Sequence, residues 1–200
     1  SVSNLDHANT EGMFRGCESL NRFVISDTTI TIPGSAFEGC VSLTNNTSIE
    51  LDNFRFEHGR EFYGCTGLDA IVITAPSLPA STFQGCASLK QIVASELTVI
   101  GDRAFYGTGF ANVDSVSQFP QLEEIGAEAF ANCKSLVTVS LTLLEGAGEG
   151  AFSGCNVMTT VTLPELVSIP AKMFVGDSSL ITVSIAKATS IGKAAFQNCS

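Results

Sequence analysis

The chain has 200 residues, of which 44% are hydrophobic, so it contains enough apolar material for a sizeable core. Its formal net charge is −10, from 20 acidic and 10 basic side chains. Such a charge repels phosphate groups, which argues against nucleic acid and anionic membrane surfaces as partners. The sequence also lacks the run of about 18 apolar residues that a transmembrane helix requires, so we predict no membrane insertion in this segment.

One sequence unit recurs along the chain, and phenylalanine marks it most clearly. The distance from one marker phenylalanine to the next is 21 to 25 residues. A cysteine usually stands three positions after the marker, where only Thr108 and Asp177 replace it, and a leucine usually stands six positions after the marker. We predict that the markers form a buried structural core: Phe14, Phe37, Phe62, Phe83, Phe105, Phe130, Phe152, Phe174 and Phe196.

The segment around each marker predicts one or two helical turns. A representative set of residues stands at positions i, i+4, i+5 and i+8: Ile125, Ala129, Phe130 and Cys133. That spacing places all four side chains on one face of a short helix. The same spacing recurs around Phe196.

The next residues of the unit follow the pattern Leu-x-x-Val-x-Leu, as at Leu136, Val139 and Leu141. Alternation with a period of two residues is typical of a strand with one buried face. One such unit cannot bury its own apolar side, but stacked units can. We therefore predict a single α/β repeat solenoid over residues 1–200, with about nine repeats of about 22 residues.

The repeated motif resembles the BspA-like leucine-rich repeat of the Treponema type. The best single match is Ala-Phe-Ala-Asn-Cys-Lys-Ser-Leu at 129–136, with the strand end at 161–164 and Ile-Gly-Lys-Ala-Ala-Phe at 191–196. The resemblance covers residues 11–200. It implies a right-handed superhelix with a parallel β-sheet on the concave face and short helical turns on the return side. It also implies a surface or secreted protein of a host-associated microbe that serves adhesion, with no catalytic residues to carry over.

Two insertions interrupt the repeat. Residues 53–60 lengthen one unit and contain two phenylalanines, two arginines and a histidine; residues 117–120 form an insertion of similar size. Insertions in solenoids often form binding loops. The candidate loop residues are Phe54, Arg55, Phe56, His58 and Arg60. In the alternative interpretation, Phe54 or Phe56 fills the core where the usual isoleucine is missing.

The cysteines and histidines give no sign of a chemical site. The seven cysteines follow the repeat spacing, without the close Cys-x-x-Cys pairs of metal sites. We predict a buried column of thiols, with disulfides or a metal site as the alternatives. The two histidines, His7 and His58, are too few to form most metal clusters or to indicate a catalytic triad. We therefore predict no enzyme activity, no metal and no cofactor.

Every second strand residue points away from the predicted core, toward the concave face. These positions mix valine with charge in the N-terminal half and are rich in threonine and serine in the C-terminal half. Exposed apolar groups among polar ones often mark interfaces, although valine and threonine are also good strand formers in general. The candidate protein-binding residues are Arg22, Val24, Glu50, Val72, Gln91, Val93, Asn112, Asp114, Thr138, Ser140, Thr160, Thr162, Thr182 and Ser184.

Three functions are compatible with these features. The leading hypothesis is a non-catalytic, extracellular or cell-surface adhesion module whose partner is a protein, such as host extracellular matrix or another cell surface. The second is a passive structural spacer within a larger surface protein. The third is carbohydrate binding, which is weakened because tryptophan is absent and Tyr63 and Tyr106 are the only tyrosines. The sequence stops inside a repeat, so we expect it to be a segment of a longer protein.

Overall fold

The computed structural model describes residues 11–23, 30–44, 50–51, 54–56 and 58–199. Within these ranges the chain forms fifteen short strands, which belong to two layers. The Val-strand layer contains β2 (Glu50–Leu51), β4 (Ala70–Ile73), β6 (Gln91–Val93), β8 (Asn112–Asp114), β10 (Thr138–Ser140), β12 (Thr160–Thr162) and β14 (Thr182–Ser184). The Ile-strand layer contains β1 (Ile30–Ile32), β3 (Phe54–Phe56), β5 (Ser77–Leu78), β7 (Val99–Ile100), β9 (Glu124–Ile125), β11 (Gly146–Ala147), β13 (Ser168–Ile169) and β15 (Ser190–Ile191).

Each strand pairs in parallel with its counterpart in a neighbouring repeat. The Val-strand layer forms the sheets β2-β4-β6 and β8-β10-β12-β14, and the Ile-strand layer forms β1-β3, β5-β7-β9-β11 and β13-β15. The Val-strand layer is interrupted between β6 and β8, where the insertion after β8 supplies a hydrogen bond instead, from the Ala94 N–H to the Gln118 carbonyl at 3.0 Å. The fold is therefore a parallel β-solenoid, which confirms the predicted repeat solenoid with a parallel sheet but not its α/β class.

The predicted helical turns on the return side are wrong, since no helix occurs in the described ranges. Around Phe130, both Glu128 and Asn132 have positive φ angles, 53° and 57°, which an α-helix does not accept. The Phe130 N–H donates to the carbonyl of Ala151 in the next repeat at 2.8 Å. The next N–H, that of Ala131, donates within its own turn to Glu128 at 3.1 Å. The backbone thus alternates between bonds to the next repeat and tight local turns.

The marker phenylalanines form one continuous stack through the solenoid. Successive rings lie 5.1 to 6.1 Å apart between centroids, with interplanar angles of 6° to 20°. This offset stacking is a favourable aromatic geometry. The seven markers from Phe37 to Phe174 are buried, whereas Phe14 and Phe196 are partly buried against the same core.

The marker cysteines form a second column, which we call the thiol ladder: Cys40, Cys65, Cys86, Cys133, Cys155 and Cys199. Each Sγ donates to the carbonyl of the marker phenylalanine in the preceding repeat, at 2.9 to 3.3 Å. All are free thiols, and so is the exposed Cys17. Where Thr108 replaces cysteine, its hydroxyl donates instead to the Phe105 carbonyl of its own repeat at 2.9 Å.

One aromatic residue of each insertion packs on the core, Phe56 partly buried against it and Phe119 within it. Phe56 aligns with Ile32 in the register of β1 and β3 and makes an edge contact with Phe83 at 6.2 Å between centroids. Phe119 is buried and lies 6.1 Å from both Phe105 and Phe130. Both insertions are thus attached to the solenoid through their aromatic side chains.

Candidate recognition surface

Strand register brings most of the candidate binding residues into two parallel columns. Ala70 lies opposite Gln91, and Asn112, Thr138, Thr160 and Thr182 follow one another in the same way. The second column contains Glu50, Val72 and Val93, followed by Asp114, Ser140, Thr162 and Ser184. We call the outward side chains of these columns, from Ala70 and Val72 onward, the strand face.

Alternating burial shows which side of each strand reaches solvent. The central residue of the strands β6, β8, β10 and β12 is buried, and its two neighbours are exposed or half-buried. The strand face therefore turns away from the core. Its C-terminal part is a hydroxyl array in which the Thr138 Oγ1 donates to the Asn112 Oδ1 at 2.6 Å.

Valine gives the N-terminal part of the strand face a different chemistry. Val93, the last residue of β6, is 49% exposed, and Val72 beside it is half-buried. Two polar residues adjoin them: Gln91 is exposed two residues before Val93 on the same strand, and Glu50 aligns with Val72 in the strand register. This arrangement offers an apolar contact area within a polar border.

The sequence did not single out a third exposed valine. Val116, directly before the insertion at 117–120, is 94% exposed. The Asp114 carboxylate holds the loop by accepting the N–H groups of Val116 at 2.9 Å and Ser117 at 2.7 Å. The Gln118 Oε1 accepts the N–H of Asp114 at 3.0 Å. The backbone carbonyl of Gln118 accepts the N–H of Ala94, the residue after Val93. The loop is thus ordered while its valine stays in solvent.

The candidate loop residue Arg60 is held by neighbouring side chains of the solenoid. His58 and Arg60 are exposed, but the Arg60 guanidinium bonds Glu38 at 2.8 Å and lies 3.9 Å from the Tyr63 ring centre. The hydrogen bond from Arg60 holds the pKa of the Glu38 carboxyl below its ordinary value. Arg60 is therefore already occupied by internal partners.

A buried glutamate closes this lengthened turn. Glu61 stands directly before Phe62, where most repeats have a small residue, and it is buried. Its Oε1 accepts the N–H of Gly59 at 2.9 Å and that of His58 at 3.3 Å. Burial raises the pKa of Glu61. The signal in the sequence was a carboxyl at a small-residue position immediately after an insertion.

Some predicted site residues lie wholly or partly outside the described part of the chain. Val24 is outside it, and for Glu50, Phe54 and Arg55 only the backbone is described. Arg22 is described and exposed. In the described ranges, no group of three or more His, Cys, Asp or Glu side chains is placed to hold a metal ion, and no helix is long and apolar enough to cross a membrane.

A parallel solenoid of short repeats with stacked phenylalanine and cysteine columns places this chain in the class of leucine-rich repeat proteins. The sequence profile of the BspA type leucine rich repeat region matches residues 10–124 and 98–200, with six copies of the repeat. The chain therefore belongs to the BspA-type leucine-rich repeat family. No curated protein shows detectable sequence similarity to it.

Three solved structures share the fold. A leucine-rich repeat protein from Bacteroides ovatus ATCC 8483 is 21% identical over 94% of this chain, with a TM-score of 0.65. The T. pallidum leucine rich repeat protein is 26% identical over 78% of this chain and 75% of its own, with a TM-score of 0.60. A leucine rich cell surface protein from Faecalibacterium prausnitzii A2-165 is 20% identical over 94% of this chain and 73% of its own, with a TM-score of 0.50. The present chain spans 61% of the Bacteroides protein.

Proposed function

We propose that this chain is a non-catalytic protein-recognition module of a cell-surface or secreted protein, and that it binds its partner through the strand face. Leucine-rich repeat proteins are typically interaction modules, and one structural neighbour is described as a cell surface protein. The observation that carries the proposal is Val93, a valine 49% exposed at the end of β6, next to Val72 in the strand register.

The binding area that we propose combines Val72, Val93 and Val116. Interface contacts that contribute most to affinity are usually apolar or aromatic groups surrounded by polar residues that exclude water. The ordered loop that carries Val116 favours such a contact, because little conformational entropy is lost when a preorganised loop binds. The hydroxyl array on β10, β12 and β14 extends this area with hydrogen-bonding groups.

Carbohydrate binding has less support. The two tyrosines that a sugar ring could stack on follow the markers Phe62 and Phe105 in the turn segments, away from the strand face. Tyr63 is covered by Arg60 at 3.9 Å, and the Tyr106 hydroxyl accepts a hydrogen bond from Asn132 at 2.7 Å. Both rings therefore already contact neighbouring side chains.

The test is binding of the isolated chain to an immobilised panel of host matrix proteins, measured by interferometry. Val93→Glu should weaken binding by about tenfold or more, which corresponds to 1.4 kcal/mol. Val99→Glu is the matched control, because Val99 is 37% exposed in the same repeat but lies in the Ile-strand layer. Equal losses in both variants contradict the strand face as the binding area, and a folded chain that binds nothing on the panel favours the spacer.

A further inference from the structure

Asp177 is a carboxyl group in the column of cysteines. Its side chain is 0% exposed, and neither carboxyl oxygen has a hydrogen-bond partner in the described part of the chain. A buried carboxylate without partners is costly, and such a group usually takes up a proton instead. The protonation state of Asp177 therefore matters to the repeats around it.

The neighbouring rungs of the thiol ladder show which bond is missing here. Cys155 donates its Sγ–H to the Phe130 carbonyl at 3.2 Å, and Cys199 donates to the Phe174 carbonyl at 2.9 Å. The corresponding acceptor for position 177 is the Phe152 carbonyl, whose bond from the Cys155 N–H is long, 3.4 Å. A neutral carboxyl has one O–H to donate to such a carbonyl, whereas a carboxylate has only acceptor oxygens.

We propose that Asp177 is a proton-dependent rung of the solenoid. The neutral carboxyl donates its O–H to the Phe152 carbonyl and keeps residues 177–199 in register. An ionised carboxyl has no proton to donate to that carbonyl, so residues 177–199 separate from the preceding repeat. The segment under this control contains β14 and β15, and it supplies Thr182 and Ser184 to the strand face.

The groups that face Asp177 do not neutralise a carboxylate at this position. Cys155 and Cys199 flank it, and their thiols stay protonated because the pKa of Cys155 is raised by its contact with Cys133 and that of Cys199 by burial. Burial raises the pKa of Asp177 from 3.8 to about 8. The nearby backbone N–H groups of Cys155 and Gly154 donate to the carbonyls of Phe152 and Val175 rather than to the carboxyl. Together with the Lys134 charge they act in the opposite direction on the pKa and are too weak to offset the burial.

The direction of the pH effect follows from this raised pKa. Above about pH 4 the unfolded segment releases the proton, whereas the folded segment keeps it until about pH 8. Between these values the folded state binds more protons, so stability falls as the pH rises. The contribution is complete below about pH 4 and is lost by about pH 8. Each pH unit within that window multiplies the opening equilibrium constant by up to about ten.

Hydrogen–deuterium exchange with mass spectrometry at pH 5.5 and pH 7.5 tests the proposal on the whole chain. Asp177→Asn keeps the size and an N–H donor without a titratable group, and Asp177→Cys restores the ladder. Between pH 5.5 and pH 7.5, we expect the protection of residues 180–199 in the unaltered chain to fall by up to about a hundredfold more than in either variant. Comparison at equal pH cancels the base catalysis of exchange itself.

Asp69→Asn is the control, because Asp69 is exposed and lies outside the thiol ladder. It should leave the pH dependence of residues 180–199 unchanged. The proposal is overturned if the unaltered chain and Asp177→Asn lose protection equally between the two pH values. A loss of equal size in residues 60–150 also overturns it, because the opening would then not be confined to the last repeats.

Discussion

Individual cysteines differ in burial although they occupy equivalent positions in the repeat. Cys86 is buried, and burial raises the pKa of its thiol to about 12; burial raises the pKa of Cys65 in the same way. Cys17 is exposed. Since the thiolate is the reactive form of cysteine, the position within the stack should decide reactivity.

We expect a thiol reagent at pH 8 to modify Cys17 rapidly in the native chain. Cys199, which is half-buried, should react more slowly, and the other thiols should react only after the chain unfolds. The measurement is the number of thiols that the reagent modifies in each kinetic phase, with and without denaturant. Cys17→Ser should remove the fast phase alone, and rapid modification of Cys86 in native buffer would contradict the buried ladder.

At the residue level, the sequence predicted which columns are apolar but not the particular exceptions. Periodic spacing is enough to place Phe130 or Cys86 in a column, because every repeat solves the same packing problem. The insertions have no such repetition. The sequence left open whether Phe56 fills the core, and the structure places it partly buried against the core, in register with Ile32. Val116 went unnoticed because an exposed valine and a buried one look alike in a sequence.

Among the elements, the strands were predictable and the return segments were not. Residues such as Ile125, Ala129 and Phe130 are buried as one face of a helix would be. The apolar spacing alone therefore does not distinguish a helix from the tight turns that the chain forms. What decides is the hydrogen bonding from Phe130 to Ala151 in the next repeat. A single repeat lacks that partner, and the positive φ at Glu128 follows from the stacking rather than from local propensity.

Close approach of the neighbouring return segment leaves no room for a side chain at Gly148. A Cβ on Gly148 would lie 2.3 Å from the Ala127 nitrogen, whereas a Cβ on Gly146 would meet only the Glu124 side chain at 3.4 Å. We expect Gly148→Ala to lower the free energy of unfolding by about 1–3 kcal/mol, as overpacking does. Urea denaturation followed by circular dichroism measures this change.

Gly146→Ala is the matched control for that substitution, two residues away at a glycine in β11. Its new methyl group meets a flexible side chain, so the free energy of unfolding should change by no more than about 0.5 kcal/mol. If the two substitutions cost the same, backbone contact between successive return segments does not determine the choice of glycine at 148.

Across the whole molecule, folding and recognition use different residues. The phenylalanine stack and the thiol ladder repeat with little change, and they hold successive turns together. The strand face changes along the same repeats, from the valines of β4 and β6 to the hydroxyl groups of β12 and β14. The sequence could therefore predict the family from the columns, while the candidate surface needed the register and exposure that only the stacked repeats provide.

The continuous stack predicts that a truncation costs most where a ring has neighbours on both sides. Phe130 is buried between Phe105 and Phe152, at 5.4 and 5.6 Å, whereas Phe196 is partly buried and stacks on Phe174 alone among the described rings. Phe130→Ala should cost about 3–5 kcal/mol, a large fraction of the 5–15 kcal/mol that stabilises a typical native protein. Phe196→Ala should cost clearly less, because it loses one ring contact and less buried area. Thr138→Ala, on the outward side of β10, loses the hydrogen bond to Asn112 and should cost only about 1 kcal/mol. Urea unfolding of the three variants gives these values, and similar losses for Phe130→Ala and Thr138→Ala would contradict the stack as the source of stability.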